Sequence, residues 1–402
     1  MLEPVIVKGK KLRRGFTTGT CAAAAAKGAV TMLFAPGLEE EVEVTLPAGM
    51  SVKLKIQDRE RRDGYARCRV VKDAGDDPDV TNGLAIWATA RQTGKGIHIK
   101  GGRGVGIVTR PGLAVSPGQP AINPVPRAMI KNEVEKALLA WRGVKFSAPC
   151  LPAGRATGVE ITLHVPEGEV VARKTLNSRL GIQGGISILG TTGLVEPMSE
   201  EAFKTSLVPQ VSQAIALGYK DIVLTPGRQS EKWAVEKYGL PAEAVVQMSN
   251  FVGYMLEECG RLGIKRVLLF GPLGKLVKVA AGIFHTHNRL SDARRETIIA
   301  HAALAGVSQD IIRQMWECAT TNEAVNIIKS YNLNFLFNRL AHAASRRATE
   351  YVQGKLFIGT VFTTSKGEIL GLDREALKIA ANWNLEIGNW KLEIGNWKLD
   401  FL

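Results

Sequence analysis

Apolar and polar positions recur with two different periods along this chain, and the change of period divides it. Val42-Glu43-Val44-Thr45-Leu46 and Val52-Lys53-Leu54-Lys55-Ile56 alternate one for one, as half-buried strands do, and Pro47-Ala48-Gly49 between them predicts a hairpin. Arg67–Lys72 and Gly158–Val165 predict two more strands. The alanine-rich stretch Thr20–Phe34 and a segment from Pro126 to Trp141 predict helices. From Gly184 the pattern becomes strand–helix–strand. Short apolar runs at Ile186–Leu189, Asp221–Leu224 and Arg266–Phe270 predict strands, and Ser199–Leu217, Ser230–Tyr238 and Asn250–Leu262 predict helices. Such alternation predicts a mainly parallel sheet covered on both faces, with ligands beyond the carboxyl ends of its strands. Three glycine-containing loops fall there: Gly190-Thr191-Thr192-Gly193, Thr225-Pro226-Gly227-Arg228 and Gly271-Pro272-Leu273-Gly274-Lys275.

With 402 residues, 45% hydrophobic and 22% charged, the chain predicts two globular domains and an appendage. We place a basic domain at 1–180, an α/β domain at 181–380 and a tail at 381–402. That tail repeats a seven-residue unit three times from Asn382 and carries Trp383, Trp390 and Trp397; its apolar edge favours self-association, so a homo-oligomer is a possible state. No run of about 18 uncharged apolar residues occurs, which argues against a membrane-spanning helix. Met1-Leu2-Glu3-Pro4 lacks a signal pattern, so the expected compartment is the cytoplasm. Five scattered cysteines (Cys21, Cys68, Cys150, Cys259 and Cys318) argue against a disulfide framework and a structural zinc site, and no metal site is expected.

Charge is uneven. Residues 1–180 hold 28 Lys and Arg against 17 Asp and Glu, a net +11 of the total +14. This half predicts an acidic partner. Nucleic acid is disfavoured by 6% aromatics and the absence of an RNA-binding motif. A polycarboxylate or phosphorylated small molecule fits.

The stretch Arg13-Arg14-Gly15-Phe16-Thr17-Thr18-Gly19-Thr20-Cys21 sets threonines, glycines and a thiol at a helix start. It reads either as ordinary capping or as a polar cup for an anion, in which Cys21 would have a lowered pKa. Asp73-Ala74-Gly75-Asp76-Asp77-Pro78-Asp79 reads better as an acidic turn than as a cation loop, because its spacing does not fit a calcium site. Gly101-Gly102-Arg103-Gly104-Val105-Gly106 and Ala121-Ile122-Asn123-Pro124-Val125-Pro126-Arg127 add rigid loops that present Arg103, Asn123 and Arg127. His285-Thr286-His287, near Asp292, reads as a general base, a metal-ligand pair or ordinary packing. Neither a phosphate-binding P-loop nor the dinucleotide fingerprint G-x-G-x-x-G is present.

Taken together, Leu12–Lys27, Gly101–Ile130, Lys174–Glu201, Asn250–Glu258 and Gly274–Arg294 resemble the CbiD family, cobalt-precorrin-5B C1-methyltransferases of anaerobic cobalamin synthesis. The resemblance spans about residues 8–375. Ser178 stands where the family's pattern has proline, and the tail has no counterpart. The resemblance implies an α+β N-terminal domain similar to ribosomal protein S5 domain 2, followed by a Rossmann-like three-layer α/β/α domain. It implies S-adenosyl-L-methionine as cosubstrate, cobalt-precorrin-5B as substrate with cobalt present only within it, and neither nucleic acid nor membrane as partner. On that footing Gly190, Thr191, Thr192, Gly193, Gly271 and Gly274 are expected to border the methyl donor. Thr17, Thr18, Thr20, Arg103, Asn123 and Arg127 are expected to hold substrate carboxylates. His285 or His287 is the expected base, oriented by Asp292. A non-catalytic cobalt-tetrapyrrole carrier and a small-molecule kinase are the competing readings.

Overall fold

A computed structural model of the chain describes residues 2–35, 40–143 and 158–383. Cys150 and the heptad tail beyond Trp383 lie outside the described residues. Two compact units divide at Glu200/Glu201, some way past the boundary the sequence pattern placed at residue 180.

In the first unit, five strands form a sheet in the order Gln57–Arg62, Tyr65–Val71, Ala85–Thr93, Gly158–His164, Ile97–Gly101. Neighbours run antiparallel except the last two, which are parallel. Alternation does what the pattern predicts: Ala66, Cys68, Val70, Ile86, Ala88, Val159, Ile161 and Leu163 all point into one core. Each Val, Ile or Leu there contributes roughly 1.5–3 kcal/mol by leaving water. Helices Thr18–Phe34 and Pro124–Gly143 belong to the same core. Ala22 to Ala26 are all fully buried, so the first helix is enclosed on nearly every side. Alanine suits that position because it costs no side-chain entropy and lets neighbouring elements come close. The hairpin Glu41–Thr45 with Ser51–Lys55 forms as its alternation predicts and sends Val42, Val44 and Leu54 into this core.

The segment 182–195 departs from expectation. It does not join a parallel sheet. Gly185–Ile186 pairs in parallel with Gly104–Val105, Ile182–Gln183 pairs antiparallel with Ile107–Val108, and Leu194–Val195 pairs antiparallel with Gly15–Phe16. These are two-residue strands whose partners are distant in sequence, and so short a run carries no readable period.

The second unit holds a five-stranded sheet in the order Val245–Gln247, Asp221–Thr225, Arg266–Pro272, Phe357–Thr363, Ile369–Leu372. Its first four strands are parallel and the last is antiparallel. Asp221–Thr225 is buried at every position, as strands covered on both faces are. In sequence order the strands lie 2-1-3-4-5, so the winding reverses between Asp221–Thr225 and Arg266–Pro272. The helix expected over 199–217 is two, Glu200–Leu207 and Pro209–Ala216, because Pro209 has no N–H to continue the first. The one expected over 230–238 is Arg228–Lys232 followed by a π-helical turn, Trp233–Lys237. No helix among the described residues is long and apolar enough to cross a membrane.

Candidate functional site

In the first unit the threonine-rich helix start is covered. Thr17 caps the helix by accepting the Thr20 N–H at 3.2 Å. The Thr17 and Gly19 N–H groups donate to the carbonyls of Gly193 and Leu189 at 3.1 and 3.0 Å. The Thr20 hydroxyl donates to the Gly193 carbonyl at 2.6 Å, and the Thr18 hydroxyl accepts the Leu189 N–H at 2.9 Å. Thr17, Thr18 and Thr20 are all buried. The positive helix end is therefore met by carbonyls of the 187–193 loop, and the expected open cup is replaced by an internal clasp. Gly190 has φ +133°, and a Cβ there would come within 2.4 Å of the Thr17 hydroxyl, so only glycine lets the loop lie so close.

Cys21 needs the matching correction. Burial pushes its thiol up to about 12, and the nearby Lys72 ammonium only partly opposes this. The acidic turn is likewise occupied. Asp73 pairs with Arg13, Asp79 with the buried Lys72 at 2.7 Å, and Asp77 accepts the Met198 N–H at 2.8 Å.

The clasp gathers further expected residues. Ile122 bridges Ile188, and the Asn123 N–H donates to the Ile188 carbonyl at 3.0 Å. Arg127 opens the next helix, half-buried, with its guanidinium 3.4 Å from the Ile99 carbonyl. Thr191 and Thr192 are exposed on the loop. Arg103 is exposed at the end of the sheet, its carbonyl bonded to the Val165 N–H. Thr17, Thr18, Thr20, Asn123 and Gly190–Gly193 thus form one locality of the first unit, whereas Gly271 and Gly274 belong to the second.

There, the loops after the parallel strands meet at one edge of the sheet. Gly271 faces the end of Asp221–Thr225, and a Cβ would come within 2.7 Å of the Pro226 ring. The helix Leu273–Ala280 begins immediately after its strand, with Pro272 as a cap that offers no side-chain acceptor. Lys275, in its first turn, donates to Asn250 Oδ1 at 2.9 Å, and burial lowers its pKa. Asn250 also accepts the Thr286 N–H, and Phe251 bridges His285, so the histidine loop sits at this same edge.

Lys278 fixes that loop. Fully buried, its ammonium donates to the Thr286 carbonyl (3.1 Å), Asn288 Oδ1 (2.7 Å) and the Ser291 carbonyl (3.0 Å), which satisfies all three N–H bonds. His285 packs edge-on against Phe251, its ring centre 5.1 Å away. His287 is exposed, with Nδ1 accepting the Arg289 N–H at 3.2 Å. The two ring centres are 6.5 Å apart. Asp292 does not orient a histidine: both its oxygens go to Arg294, at 2.7 and 2.6 Å. The Arg294 guanidinium holds the Asp292 carboxyl below its ordinary range.

A cleft of about 230 Å³ opens at this edge, lined by Gly274, Lys275, Arg294, Thr321, Asn322 and Ser365, among others. Lys275, named above only as the end of a glycine loop, Asn250, named only as a helix start, and the Thr363-Thr364-Ser365 run were not among the expected site residues. The available signal was that polar run directly after the apolar strand Phe357-Ile358-Gly359-Thr360-Val361-Phe362.

Residues 5–197 match the family model CbiD, and residues 285–374 match the model CbiD, C-terminal domain. A cobalt-precorrin-5B C(1)-methyltransferase from Moorella thermoacetica is 50% identical over 94% of this chain and 99% of its own length. One of the same name from Alkaliphilus metalliredigens is 46% identical over 92% of this chain and 94% of its own. The crystal structure of a cobalamin biosynthesis protein (cbiD) from Archaeoglobus fulgidus is 31% identical, covers 73% of this chain and 87% of that one, and superposes with a TM-score of 0.38.

Proposed function

The chain belongs to the CbiD family, and from that premise we propose that it transfers a methyl group from S-adenosylmethionine to C1 of cobalt-precorrin-5B, giving cobalt-precorrin-6A. The observation that carries this reading is the similarity, 50% and 46% identity over 94% and 92% of this chain, to methyltransferases of that name. We read the first unit as similar to ribosomal protein S5 domain 2, supported by its α+β composition. The second we read as Rossmann-like, supported by its four parallel strands and their winding reversal.

When bound, the donor supplies an electrophilic methyl on a sulfonium, open to in-line attack by a ring carbon. The chain must hold carbon, methyl and sulfur in line and keep water away. Gly271 and Gly274 fit the donor's side of this task by position: they lie at a strand end beside the winding reversal, where the missing side chain of Gly271 admits the Pro226 ring and Gly274 lines the cleft. In the first unit we read Arg103, Asn123 and Arg127 as holding the substrate carboxylates, and we move Thr191 and Thr192, expected at the donor, to that side because their exposed loop belongs to the first unit. Thr17, Thr18 and Thr20 act on that side at one remove, by fixing the 187–193 loop. The net +11 of residues 1–180 draws the polycarboxylate in.

The attack forms the carbon–methyl bond and breaks the sulfur–methyl bond; where the macrocycle then sheds a proton, a base must take it up. His287 is the exposed base for it, on a loop that Lys278 anchors. A single turnover without oxygen, using cobalt-precorrin-5B and methyl-labelled donor, should label the macrocycle; an unlabelled macrocycle overturns the proposal. Replacing His287 by alanine should slow that turnover, and an unchanged rate would remove the residue from the mechanism.

A further inference from the structure

The cleft of the second unit is built for a negative group. No Asp or Glu is among its lining residues. The helix Leu273–Ala280 starts in its wall with no side-chain cap; the Leu273 N–H belongs to the parallel ladder with Thr363, and the Gly274 and Lys275 N–H groups of the first turn are left for a ligand or water. Lys275, in that first turn, is half-buried and meets only the neutral oxygen of Asn250; no carboxylate among the described residues pairs with it.

An independent observation marks the same place. Thr363 lines the cleft, is fully buried, and its hydroxyl has no hydrogen-bond partner. It lies directly opposite Pro272 in the strand register, beside the uncapped helix start. A buried hydroxyl without a partner costs about 1–3 kcal/mol, which a bound acceptor would remove.

We propose that this cleft binds a carboxylate, that of the amino-acid end of the methyl donor, through the Lys275 side chain, the first-turn N–H groups of Gly274 and Lys275, and the Thr363 hydroxyl. The assignment rests on the methyltransferase reading above. A single uncommitted positive charge suits a monoanionic carboxylate better than a doubly charged phosphate, and the α-ammonium beside that carboxylate meets no acidic residue in the lining. Arg294 is already committed to Asp292 at two points, so the cleft offers one uncommitted positive charge, enough for a monoanion.

The test is calorimetry on the full chain with S-adenosylhomocysteine and with methylthioadenosine, which shares the nucleoside and thioether but lacks the amino-acid end. The unaltered protein should prefer S-adenosylhomocysteine, and Lys275→Met should erase about 10- to 100-fold of that preference while leaving methylthioadenosine binding unchanged. Thr363→Val conserves volume. It should weaken S-adenosylhomocysteine severalfold while holding or raising the melting temperature of the unliganded protein. A preference that survives both substitutions overturns this proposal and leaves the methyltransferase reading intact. Inorganic phosphate displacing S-adenosylhomocysteine where free methionine at equal concentration does not also overturns it. A chain that binds neither nucleoside overturns both readings together.

Discussion

Replacing Thr18 by valine isolates the clasp that holds the 187–193 loop on the helix start. The two side chains have nearly the same shape, and their helix propensities differ by only a few tenths of a kcal/mol, so the change removes a hydroxyl and little else. That hydroxyl accepts the Leu189 N–H at 2.9 Å and lies 3.2 and 3.3 Å from the Leu189 and Ser187 carbonyls. Thr18 is buried at 3% exposure, so water cannot readily take its place. The Leu189 N–H has no other partner among the described residues and would be left unpaired. Leu189 itself is 49% exposed, so the cost of the orphaned donor falls at the low end of the range for buried groups, about 1 kcal/mol. Urea denaturation should therefore show a lower midpoint with an unchanged slope. Hydrogen exchange at Leu189 should lose roughly fivefold of its protection, the same energy expressed locally. Thr18→Ser is the control: it keeps the hydroxyl, gives up one methyl worth about 0.8 kcal/mol, and should retain protection at Leu189. A valine variant with wild-type protection there would refute the clasp.

Lys278→Met should free the loop that carries His287, because three hydrogen bonds vanish at once. Trypsin should then cut after Arg289 about tenfold faster, and an unchanged rate would show that the loop is held by other means. Glu133 is a buried carboxylate joined to Lys27 at 2.8 Å and Lys136 at 2.5 Å. Burial pushes its carboxyl up, but hydrogen bonds from Lys136, Lys27 and the Thr45 N–H outweigh that and hold it below the ordinary value. Its stabilisation is thus complete above the unfolded carboxyl pKa, about 4.3, and is lost as the pH falls through the folded value. Glu133→Gln should lower stability at pH 7, with the gap from wild type closing below about pH 4; a constant gap down to pH 3 contradicts the ion pairing. Cys21, its thiol pushed up to about 12, should resist a disulfide reagent at pH 8 until the protein unfolds, and labelling in the native state would refute its burial.

The elements that emerged as the pattern predicts are those whose residues repeat over several turns or pleats. The hairpin Glu41–Thr45 with Ser51–Lys55, the helix Thr18–Phe34 and the strands Asp221–Thr225 and Arg266–Pro272 are of this kind. The break at Pro209 was missed by the single helix expected over 199–217, although a missing N–H is a local fact: apolar spacing continues on both sides of the proline. For the candidate site, polarity was legible and destination was not. Thr17, Thr18 and Thr20 stood out as a hydroxyl cluster, but the carbonyls they meet come from some 170 residues further along the chain. Asp292 stood near the histidines in sequence, and its carboxylate went to Arg294 instead.

By itself, the sequence determined the local periods, the basic character of its first half and the membership of a family, because each depends on residue types and near spacing alone. Only the tertiary structure decided that 182–195 belongs with the first unit, that Cys21 is a neutral buried thiol, and that Lys275 and Thr363 face one cleft. Strand register, burial and the pairing of buried charges arise when distant segments pack together. No short window of the chain contains both partners of such a contact.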